Sequence, residues 1–468
     1  MIRNLDSLLS NSASSLDRLA RELALAALDE VIAASDPVKA VNRKVRLDGQ
    51  HLLVENDRYD LGKFERVFVV GAGKASAQMA YAVETILEDR ITDGVVNVPR
   101  NTIAKVSTDR IKLNEASHPL PDESGVAGAL KMKELLTEAK KGDLVICLIS
   151  GGGSALMPLP SEGLTLEDKL SVTRQLLMTG ANINELNTVR KHLSRIKGGW
   201  LAKSVDAQIL TLILSDVVGD PLDVIASGPT SPDSTTFEDA ISVLRKYGLF
   251  EKAPKSIQKV LTAGRDGRIA ETPKPDDPVF LHVRNYVLFN NRLACEAALA
   301  YLRKRGITTE ILSTTVEGES NQVGMVLGSI AKEMAVWNRP IAKPAALIAG
   351  GETTVTVRGK GVGGRNQEVA LGAALRLSAV EGAAVASIGT DGVDGPTDAA
   401  GAIVDSKTIA RSEAVGMNAR EFLLDNNSYN FFNKLGDLIF TGPTATNVND
   451  VTVMIALPSD IKRLSAKS

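Results

Sequence analysis

Three apolar runs, each followed at once by a turn rich in glycine or aspartate, constrain the fold of this chain most strongly. Residues 66–70 (RVFVV) precede GAGKAS, residues 143–149 (DLVICLI) precede SGGGSA, and residues 208–214 (QILTLIL) precede SDVVGDP. Uniformly apolar strands are typical of parallel sheets that helices cover on both faces, because such strands have no solvent-facing side. We therefore predict that the first domain is a doubly wound, Rossmann-like and mostly parallel α/β sheet.

A change of composition separates the two halves of the chain. Residues 251–280 are rich in Lys, Asp and Pro and contain one short helical pattern, so we interpret them as the connection between two domains. The prediction is an N-terminal domain over residues 1–275 and a smaller C-terminal α/β domain over residues 276–468. Within the second domain, the alternating pattern at residues 353–357 predicts a strand of an antiparallel hairpin.

Charge and cysteine content exclude several classes of protein. The chain has 54 Lys and Arg against 56 Asp and Glu, which argues against a nucleic-acid binder with a basic face. No apolar run approaches the length of about 18 residues that a membrane span needs, and the N-terminus lacks a signal-peptide pattern. The two cysteines, Cys147 and Cys295, are predicted to be buried thiols. We expect a cytoplasmic protein that binds small molecules, and a homo-oligomer is compatible with this sequence.

The turns after the apolar runs are the candidate binding sites, because ligands of open parallel sheets bind where the strands end. Lys74 lies in a Gly-Ala-Gly-Lys turn that could hold a dinucleotide pyrophosphate or the phosphate or carboxylate of a substrate. Gly151, Gly152 and Gly153 indicate a close approach of the backbone to an anion. The alternatives are a solvated lysine on a tight turn and an ordinary flexible loop.

Further charged segments favour an anion site without naming its ligand. Residues 190–197 contain five potential cations, which indicates an anion-binding wall or a solvated helix face. Acids cluster at 215–223 and 391–398; they are turn-forming residues or carboxylates for Mg²⁺, which needs only one or two. Arg365 opens a predicted helix, where a positive charge is unfavourable unless an anionic ligand accompanies it.

Taken together, these motifs resemble the glycerate 2-kinase family, whose C-terminal half carries the MOFRL domain. The resemblance spans nearly the whole chain and rests on the following blocks in order: VFVVGAGKA, EASHPLPD, LISGGGSAL, NTVRKHLSRIKGG, ILSDVVGDPLDVIASGPTSPD, AGGETTVTVRGKGVGGRNQE, GTDGVDGPTDAAGA and TGPTATNVND. It implies two α/β domains with the active site in the cleft between them. It also implies phosphorylation of D-glycerate at its 2-hydroxyl by ATP with Mg²⁺, giving 2-phosphoglycerate and ADP.

The same resemblance implies roles for individual residues. Lys74, Asp216 and Arg365 match the catalytic positions; our hypothesis is that the two cations stabilise charge on the passing phosphoryl group and Asp216 orients or deprotonates the hydroxyl. The matched substrate or phosphate contacts are His118, Gly151, Gly152, Gly153, Ser154, Arg190 and Lys197. The matched nucleotide contacts are Asp391, Asp394 and Asn447. Ala445 departs from the glycine expected in that last motif.

Two other functions remain open at this stage. An NAD(P)H-dependent hydroxypyruvate reductase would use the Gly71–Lys74 turn for its cofactor, and relatives of this family have carried that name. A non-catalytic sensor of nucleotides or small acids would keep the fold without turnover. No Walker A or H-R-D sequence is present, so a kinase of this kind must hold its phosphates differently.

Overall fold

Helices and strands alternate along residues 1–461, the part of the chain that the computed structural model describes. The helices are α1 (Leu5–Ser10), α2 (Ser15–Ala34), α3 (Pro37–Lys44), α4 (Ser76–Leu87), α5 (Glu123–Glu138), α6 (Gly153–Leu156), α7 (Leu166–Met178), α8 (Ile183–His192), α9 (Trp200–Lys203), α10 (Phe237–Lys246), α11 (Lys255–Arg265), α12 (Asn291–Lys304), α13 (Ser320–Trp337), α14 (Arg365–Leu377), α15 (Thr408–Ala414), α16 (Ala419–Leu424) and α17 (Ser428–Leu435). The strands are β1 (Val45–Asp48), β2 (His51–Val54), β3 (Asp57–Asp60), β4 (Val67–Ala72), β5 (Asp93–Pro99), β6 (Ile111–Ala116), β7 (Leu144–Ser150), β8 (Gln208–Leu214), β9 (Val283–Phe289), β10 (Thr308–Val316), β11 (Ala345–Gly351), β12 (Ala383–Gly389), β13 (Gly401–Asp405), β14 (Leu438–Ile439) and β15 (Asp450–Ala456).

The chain divides into two units, one formed by Pro37–Leu288 and the other by Met1–Asp36 together with the residues from Phe289 onward. We call them the parallel-sheet unit and the mixed-sheet unit. This division differs from the predicted domains in two respects: the boundary after residue 275 is about a dozen residues early, and the N-terminal helices belong with the second half of the chain.

The parallel-sheet unit confirms the predicted doubly wound sheet. Its strand order is β6-β5-β4-β7-β8-β9, and the pairs β4–β5, β5–β6, β4–β7 and β7–β8 are parallel. The three apolar runs form β4, β7 and β8, which are neighbours, and every residue of β4 and β7 is buried. Burial on both faces is the reason that these strands lack alternation. Cys147 lies buried in β7 as a free thiol.

Residues 251–280, interpreted from sequence as an inter-domain connection, lie within the parallel-sheet unit. Helix α11 packs against α10 and α7. Beyond α11, the Glu271 carboxylate accepts hydrogen bonds from His192 Nε2 at 2.9 Å and from the Phe237 amide at 2.9 Å. Thr272 is buried and donates to Asp233. Glu271 and Thr272 therefore make hydrogen bonds with buried groups, whereas residues 265–270 are exposed. Composition alone did not distinguish this segment from a solvated linker.

The mixed-sheet unit has the strand order β10-β11-β15-β12-β13-β14. Strands β10 and β11 are parallel, whereas the other four pairs are antiparallel. Helix α2 packs against α12, β12 and β15, which is why the N-terminal residues belong to this unit. Within residues 1–461, no helix is both long and apolar enough to span a bilayer.

The predicted hairpin strand at residues 353–357 is wrong. Thr354 forms an isolated parallel bridge with Glu319, and the Glu319 carboxylate accepts hydrogen bonds from the Thr356 amide at 3.0 Å and its hydroxyl at 2.8 Å. Val357 is exposed. Main-chain bonds of Thr354 with Gly318 and Ser320, together with the Glu319 carboxylate, therefore satisfy the backbone of this segment, and no hairpin partner does. The alternation of residue types did not reveal that difference.

Candidate active site

The glycines of the first turn are required by packing between β4 and β7. A Cβ on Gly71 would lie 2.1 Å from the Leu148 carbonyl oxygen, and one on Gly73 would lie 2.0 Å from Ser150 Oγ. The amide of Ala75, at the start of α4, donates to Ser150 Oγ at 3.0 Å. The glycines of this turn therefore pack directly against β7. This packing removes the main geometric argument for a dinucleotide pyrophosphate at the turn.

The glycine loop after β7 brings three predicted side chains together. The Lys74 amide donates to the Gly151 carbonyl oxygen at 2.8 Å. A Cβ on Gly151 would lie 2.1 Å from Asp216 Oδ2, and one on Gly152, whose φ is +79°, would lie 2.9 Å from the His118 ring and 3.3 Å from Lys74 Cγ. Burial lowers the pKa of His118, and the charge of Lys74 lowers it further. Lys74, His118 and Asp216 thus line a loop that only glycine can form.

Ser154, directly after the glycines, begins a chain of hydrogen bonds. Lys197 Nζ donates to the Ser154 carbonyl oxygen at 2.7 Å and to its Oγ at 3.0 Å. Ser154 Oγ lies 2.8 Å from Ser227 Oγ, which donates to Asn187 Oδ1 at 3.1 Å. Ser227 adopts φ +61° next to Ala226 at +51°, a left-handed backbone that is unfavourable for residues with a Cβ. The predicted contacts Ser154 and Lys197 are therefore neighbours.

Two buried lysines and a half-buried arginine, Lys169, Lys197 and Arg190, surround this network. Burial lowers the pKa of Lys197 well below its ordinary value, and the charges of Lys169 and Arg190 lower it further. Burial, followed by the charge of Arg190, lowers the pKa of Lys169 to about 7. Burial lowers the pKa of Arg190 to about 10. No carboxylate accepts a hydrogen bond from Lys169 or Lys197 in residues 1–461, so the cluster is short of negative charge.

Arg365, in the mixed-sheet unit, is held by two carboxylates that the sequence reasoning missed. Its Nη1 donates to Glu352 Oε1 at 2.6 Å, and its Nε lies 2.6 Å from Asp450 Oδ2. Burial opposes the charge of Arg365, but Asp450 and Glu352 outweigh it and raise the arginine pKa. Burial raises the pKa of Asp450 to about 7 in spite of the attraction of Arg365. These carboxylates offset the unfavourable position of Arg365 at the start of α14.

The predicted nucleotide residues lie in two neighbouring loops of the same unit. The Thr444 amide donates to the Asp391 carbonyl oxygen at 3.1 Å, and the Asp391 carboxylate accepts from the Val393 amide. Asn447 Oδ1 accepts from the Asn449 amide at 3.1 Å. Ala445 has φ +60°, which agrees with the glycine that the family pattern leads one to expect.

Asp394 has a structural role in the same region. It is buried, and its two carboxylate oxygens accept the amides of Asn366 and Gln367 at 3.0 and 2.9 Å. These amides belong to the first turn of α14, so Asp394 satisfies donors that have no partner within the helix. The geometry gives Asp394 the part of a helix cap, and its contact with a nucleotide stays a prediction.

Lys169 is a member of the cation cluster that the sequence analysis did not identify, although its position in the sequence carries a weak signal. Lys169 lies on α7 between Leu166 and Val172, at the three-residue spacing of the buried face. A charged residue on an apolar stripe indicates a buried charge. By contrast, nothing local marked Glu352 and Asp450, because the antiparallel register that sets Gly351 opposite Asp450 brings them together.

The described side chains do not by themselves form a complete metal-binding site. Within the described residues 1–461, no group of three or more His, Cys, Asp or Glu side chains could hold a metal ion. Mg²⁺ that bridges nucleotide phosphates keeps several waters and needs only one or two carboxylates. Asp216, which lies against the Gly151 loop, fits that requirement.

The fold and these loops define a class of protein that comparison with known sequences identifies. A family model described as a domain of unknown function (DUF4147) matches residues 23–262, and the MOFRL family model matches residues 345–450. The chain is therefore an α/β protein of the MOFRL class, as its motifs indicated.

Individual relatives make the assignment more specific. The glycerate 2-kinase of Pyrococcus horikoshii is 44% identical over 437 residues, which are 93% of this chain and 97% of that protein. The crystal structure of a glycerate kinase from Thermotoga maritima matches with a TM-score of 0.83 and 41% identity, covering 93% of this chain and 99% of that one. An Agrobacterium vitis protein that carries a hydroxypyruvate reductase name is 40% identical over 442 residues, 94% of this chain and 95% of that protein. The chain belongs to the glycerate 2-kinase family.

Proposed function

We propose that this protein phosphorylates D-glycerate at its 2-hydroxyl, using ATP and releasing ADP and 2-phosphoglycerate. The observation that carries the proposal is the cluster of Lys169, Lys197 and Arg190, in which both lysines are buried, the arginine is half-buried and no described carboxylate accepts a hydrogen bond from either lysine. Burial and mutual repulsion disfavour the charged forms of these side chains, and a bound anion would stabilise those forms. A small hydroxy acid supplies one, and family membership favours glycerate.

We assign the chemical roles as follows. Asp216, beside the Gly151–Gly153 loop, orients the 2-hydroxyl and accepts its proton as the oxygen attacks the terminal phosphorus of ATP. Lys74 stabilises negative charge on the phosphoryl group during transfer. Arg365 contributes a second positive charge, and its two carboxylate partners hold the guanidinium in one orientation.

The remaining predicted residues bind the two substrates. On the glycerate side, His118, Ser154, Arg190 and Lys197 contact the acid or its phosphate, with the glycines allowing close approach. On the nucleotide side, we assign Asp391, Asp394 and Asn447. When Mg²⁺ is bound, it would neutralise part of the charge of the ATP phosphates, and Asp216 is the carboxylate near the glycine loop that could hold it.

We further propose that the protein works in the cytoplasm on these small molecules. Cys147 and Cys295 are both buried free thiols, a pattern that a reducing compartment preserves.

The first test is a direct assay of the two competing reactions. Purified protein with D-glycerate, ATP and Mg²⁺ is expected to form ADP and 2-phosphoglycerate, whereas hydroxypyruvate with NADH is expected to cause no loss of nicotinamide absorbance. The variant Lys74→Ala is expected to lower kcat at least about a hundredfold, the size of effect seen when one group that stabilises transition-state charge is removed.

An exposed lysine provides the matched control for that test. Lys131 lies on the outer face of α5, so Lys131→Ala is expected to leave kcat unchanged. NADH oxidation without ADP formation would replace the kinase by a reductase. Full activity of Lys74→Ala would remove Lys74 from the mechanism.

A further inference from the structure

Asn187 contributes an unused hydrogen-bond donor to the cation cluster. It is 3% exposed, and its Oδ1 accepts from Ser227 Oγ at 3.1 Å. A chain of hydrogen bonds connects Lys197, Ser154 and Ser227 and ends at this Oδ1. The other end of the amide, Nδ2, is buried and has no hydrogen-bond partner. A buried donor without an acceptor is unfavourable, so this position favours an acceptor that the described protein itself does not provide.

Arg190 lies one helical turn from Asn187 on α8, so the two side chains share a face of that helix. Neither a hydrogen bond nor an ion pair joins the Arg190 guanidinium to any part of the described chain. Asn187 Nδ2 and the arginine therefore offer N–H donors from the same face of α8. Planar donors of this kind match the two oxygens of a carboxylate.

Lys169 adds a third positive charge from another helix. It lies on the buried face of α7, and its Nζ donates to the carbonyl oxygens of Pro158 and Leu159 at 3.3 and 3.4 Å. Main-chain carbonyls hold the ammonium group in place without neutralising it. An anion that enters the cluster would offset the repulsion among Lys169, Arg190 and Lys197 and favour their charged forms, which burial otherwise disfavours.

We infer that Asn187 and Lys169, together with Arg190 and Lys197, form a seat for the carboxylate of the hydroxy-acid substrate. The inference rests on the proposed function for the identity of that substrate. In glycerate the carboxylate is bonded to the carbon that bears the reacting hydroxyl, so the two groups need adjacent seats. Ser154, which accepts from Lys197, directly follows the glycine loop that contacts Asp216. The seat and the residue assigned to the hydroxyl are thus neighbours.

The sharpest test replaces the orphan donor by a carboxylate of the same shape. Asn187→Asp keeps the oxygen that accepts from Ser227 and adds a negative charge where the substrate carboxylate would sit. We expect D-glycerate binding, measured by calorimetry without nucleotide, to weaken at least about a hundredfold, because two carboxylates would compete for the same cations. The melting temperature of the unliganded protein is expected to rise, because the new charge relieves repulsion; a merely structural asparagine would give a fall.

A second variant tests the seat independently of Asn187. Lys169→Met keeps the length of the side chain and removes its charge, and it is expected to raise the dissociation constant and KM for D-glycerate about tenfold while leaving the affinity for ADP unchanged. Asn184→Asp and Arg174→Met are the controls. Both positions are exposed and lie on the same two helices, and both variants are expected to bind D-glycerate as the unmodified protein does.

Binding of inorganic phosphate and ADP shows whether the seat holds a carboxylate or a phosphoryl group. If Asn187→Asp binds D-glycerate normally but loses phosphate or ADP, the seat holds a phosphoryl group and our assignment is overturned. Normal binding of D-glycerate by both variants, or no binding by the unmodified protein, also overturns it. If the unmodified protein binds D-glycerate and the variants do not, but ADP never forms, the seat stands and the proposed kinase activity fails.

Discussion

Two carboxylates of the same chain hold the Arg365 guanidinium in one orientation. Glu352 and Asp450 accept hydrogen bonds from two of its nitrogens, at 2.6 and 2.9 Å. The sequence suggested that an anionic ligand would compensate this charge, because helix N-termini disfavour cations. The compensating anions are instead side chains of β15 and of the turn after β11, so a ligand phosphate would be additional to them.

At the same scale, Glu271 should make stability depend on pH. His192 Nδ1 lies 2.7 Å from the Thr188 carbonyl oxygen, and Nε2 lies 2.9 Å from a carboxylate oxygen of Glu271. Burial would raise the pKa of Glu271, but hydrogen bonds from His192 and the Phe237 amide lower it from its ordinary 4.5 to about 2. Because the folded pKa is depressed, the stabilisation is present above 4.5 and is lost as the pH falls towards 2.

The variant Glu271→Gln measures that contribution. We expect it to lower the free energy of unfolding by about 1–2 kcal/mol near pH 6 and by much less near pH 3, as judged from urea midpoints. Glu251→Gln, at an exposed position, is the control and is expected to behave like the unmodified protein at both pH values. If the stability difference between Glu271→Gln and the unmodified protein is as large near pH 3 as near pH 6, the stabilising role of the ionised Glu271 carboxylate is contradicted.

Among the elements, the ones predicted best were those that are buried throughout. Strands β4, β7 and β8 were recognisable because an unbroken apolar run is typical of a strand that is buried on both faces of a sheet. The segment 353–357 was predicted wrongly, because a period of two in residue type reports which side chains face inward and not whether a neighbouring strand exists. Its backbone partners are residues 318–320, which are distant in sequence.

Helix α2 depends on one buried ion-pair group for its place in the mixed-sheet unit. Arg21 is fully buried and its Nε donates to Asp405 at 2.6 Å, while Nη1 donates to Asp437 at 2.8 Å. Arg21→Met leaves Asp405 without its arginine and Asp437 with Arg411 alone. We expect a loss of about 3–5 kcal/mol in the free energy of unfolding, the usual effect of breaking a buried pair.

The measurement is urea unfolding followed by fluorescence or circular dichroism, with Arg18→Met as the comparison. Arg18 lies on the same helix and is exposed, so its replacement is expected to change stability by no more than about 0.5 kcal/mol. Equal stability of Arg21→Met and Arg18→Met would mean that apolar packing alone positions α2.

For the molecule as a whole, the boundaries of the two units differ from those that composition predicted. The change in composition at 251–280 is real, but β9 follows it and completes the parallel sheet beside β8. The first 36 residues pack on a sheet whose strands come from beyond residue 307. Local composition cannot report a contact between segments so far apart in the chain.

Two fragments test which boundaries are correct. A fragment of residues 37–289 contains every strand of the parallel sheet and is expected to unfold cooperatively on heating. A fragment of residues 1–275 lacks β9, which leaves β8 as an open edge, and carries α2 without the strands that it covers. We expect the second fragment to aggregate or to melt without cooperativity; the opposite ranking would support the boundary at residue 275.

The sequence by itself determined the class of fold, the loops that carry polar residues and the family, because apolar runs, glycines and ordered motifs are properties of short segments. Only the tertiary structure decided which charges meet. Lys169 joins Arg190 and Lys197 through the packing of two helices, and Asp450 reaches Arg365 through the register of β15 against β11. The balance of charge in a buried site depends on distances between remote segments, and folding alone sets those distances.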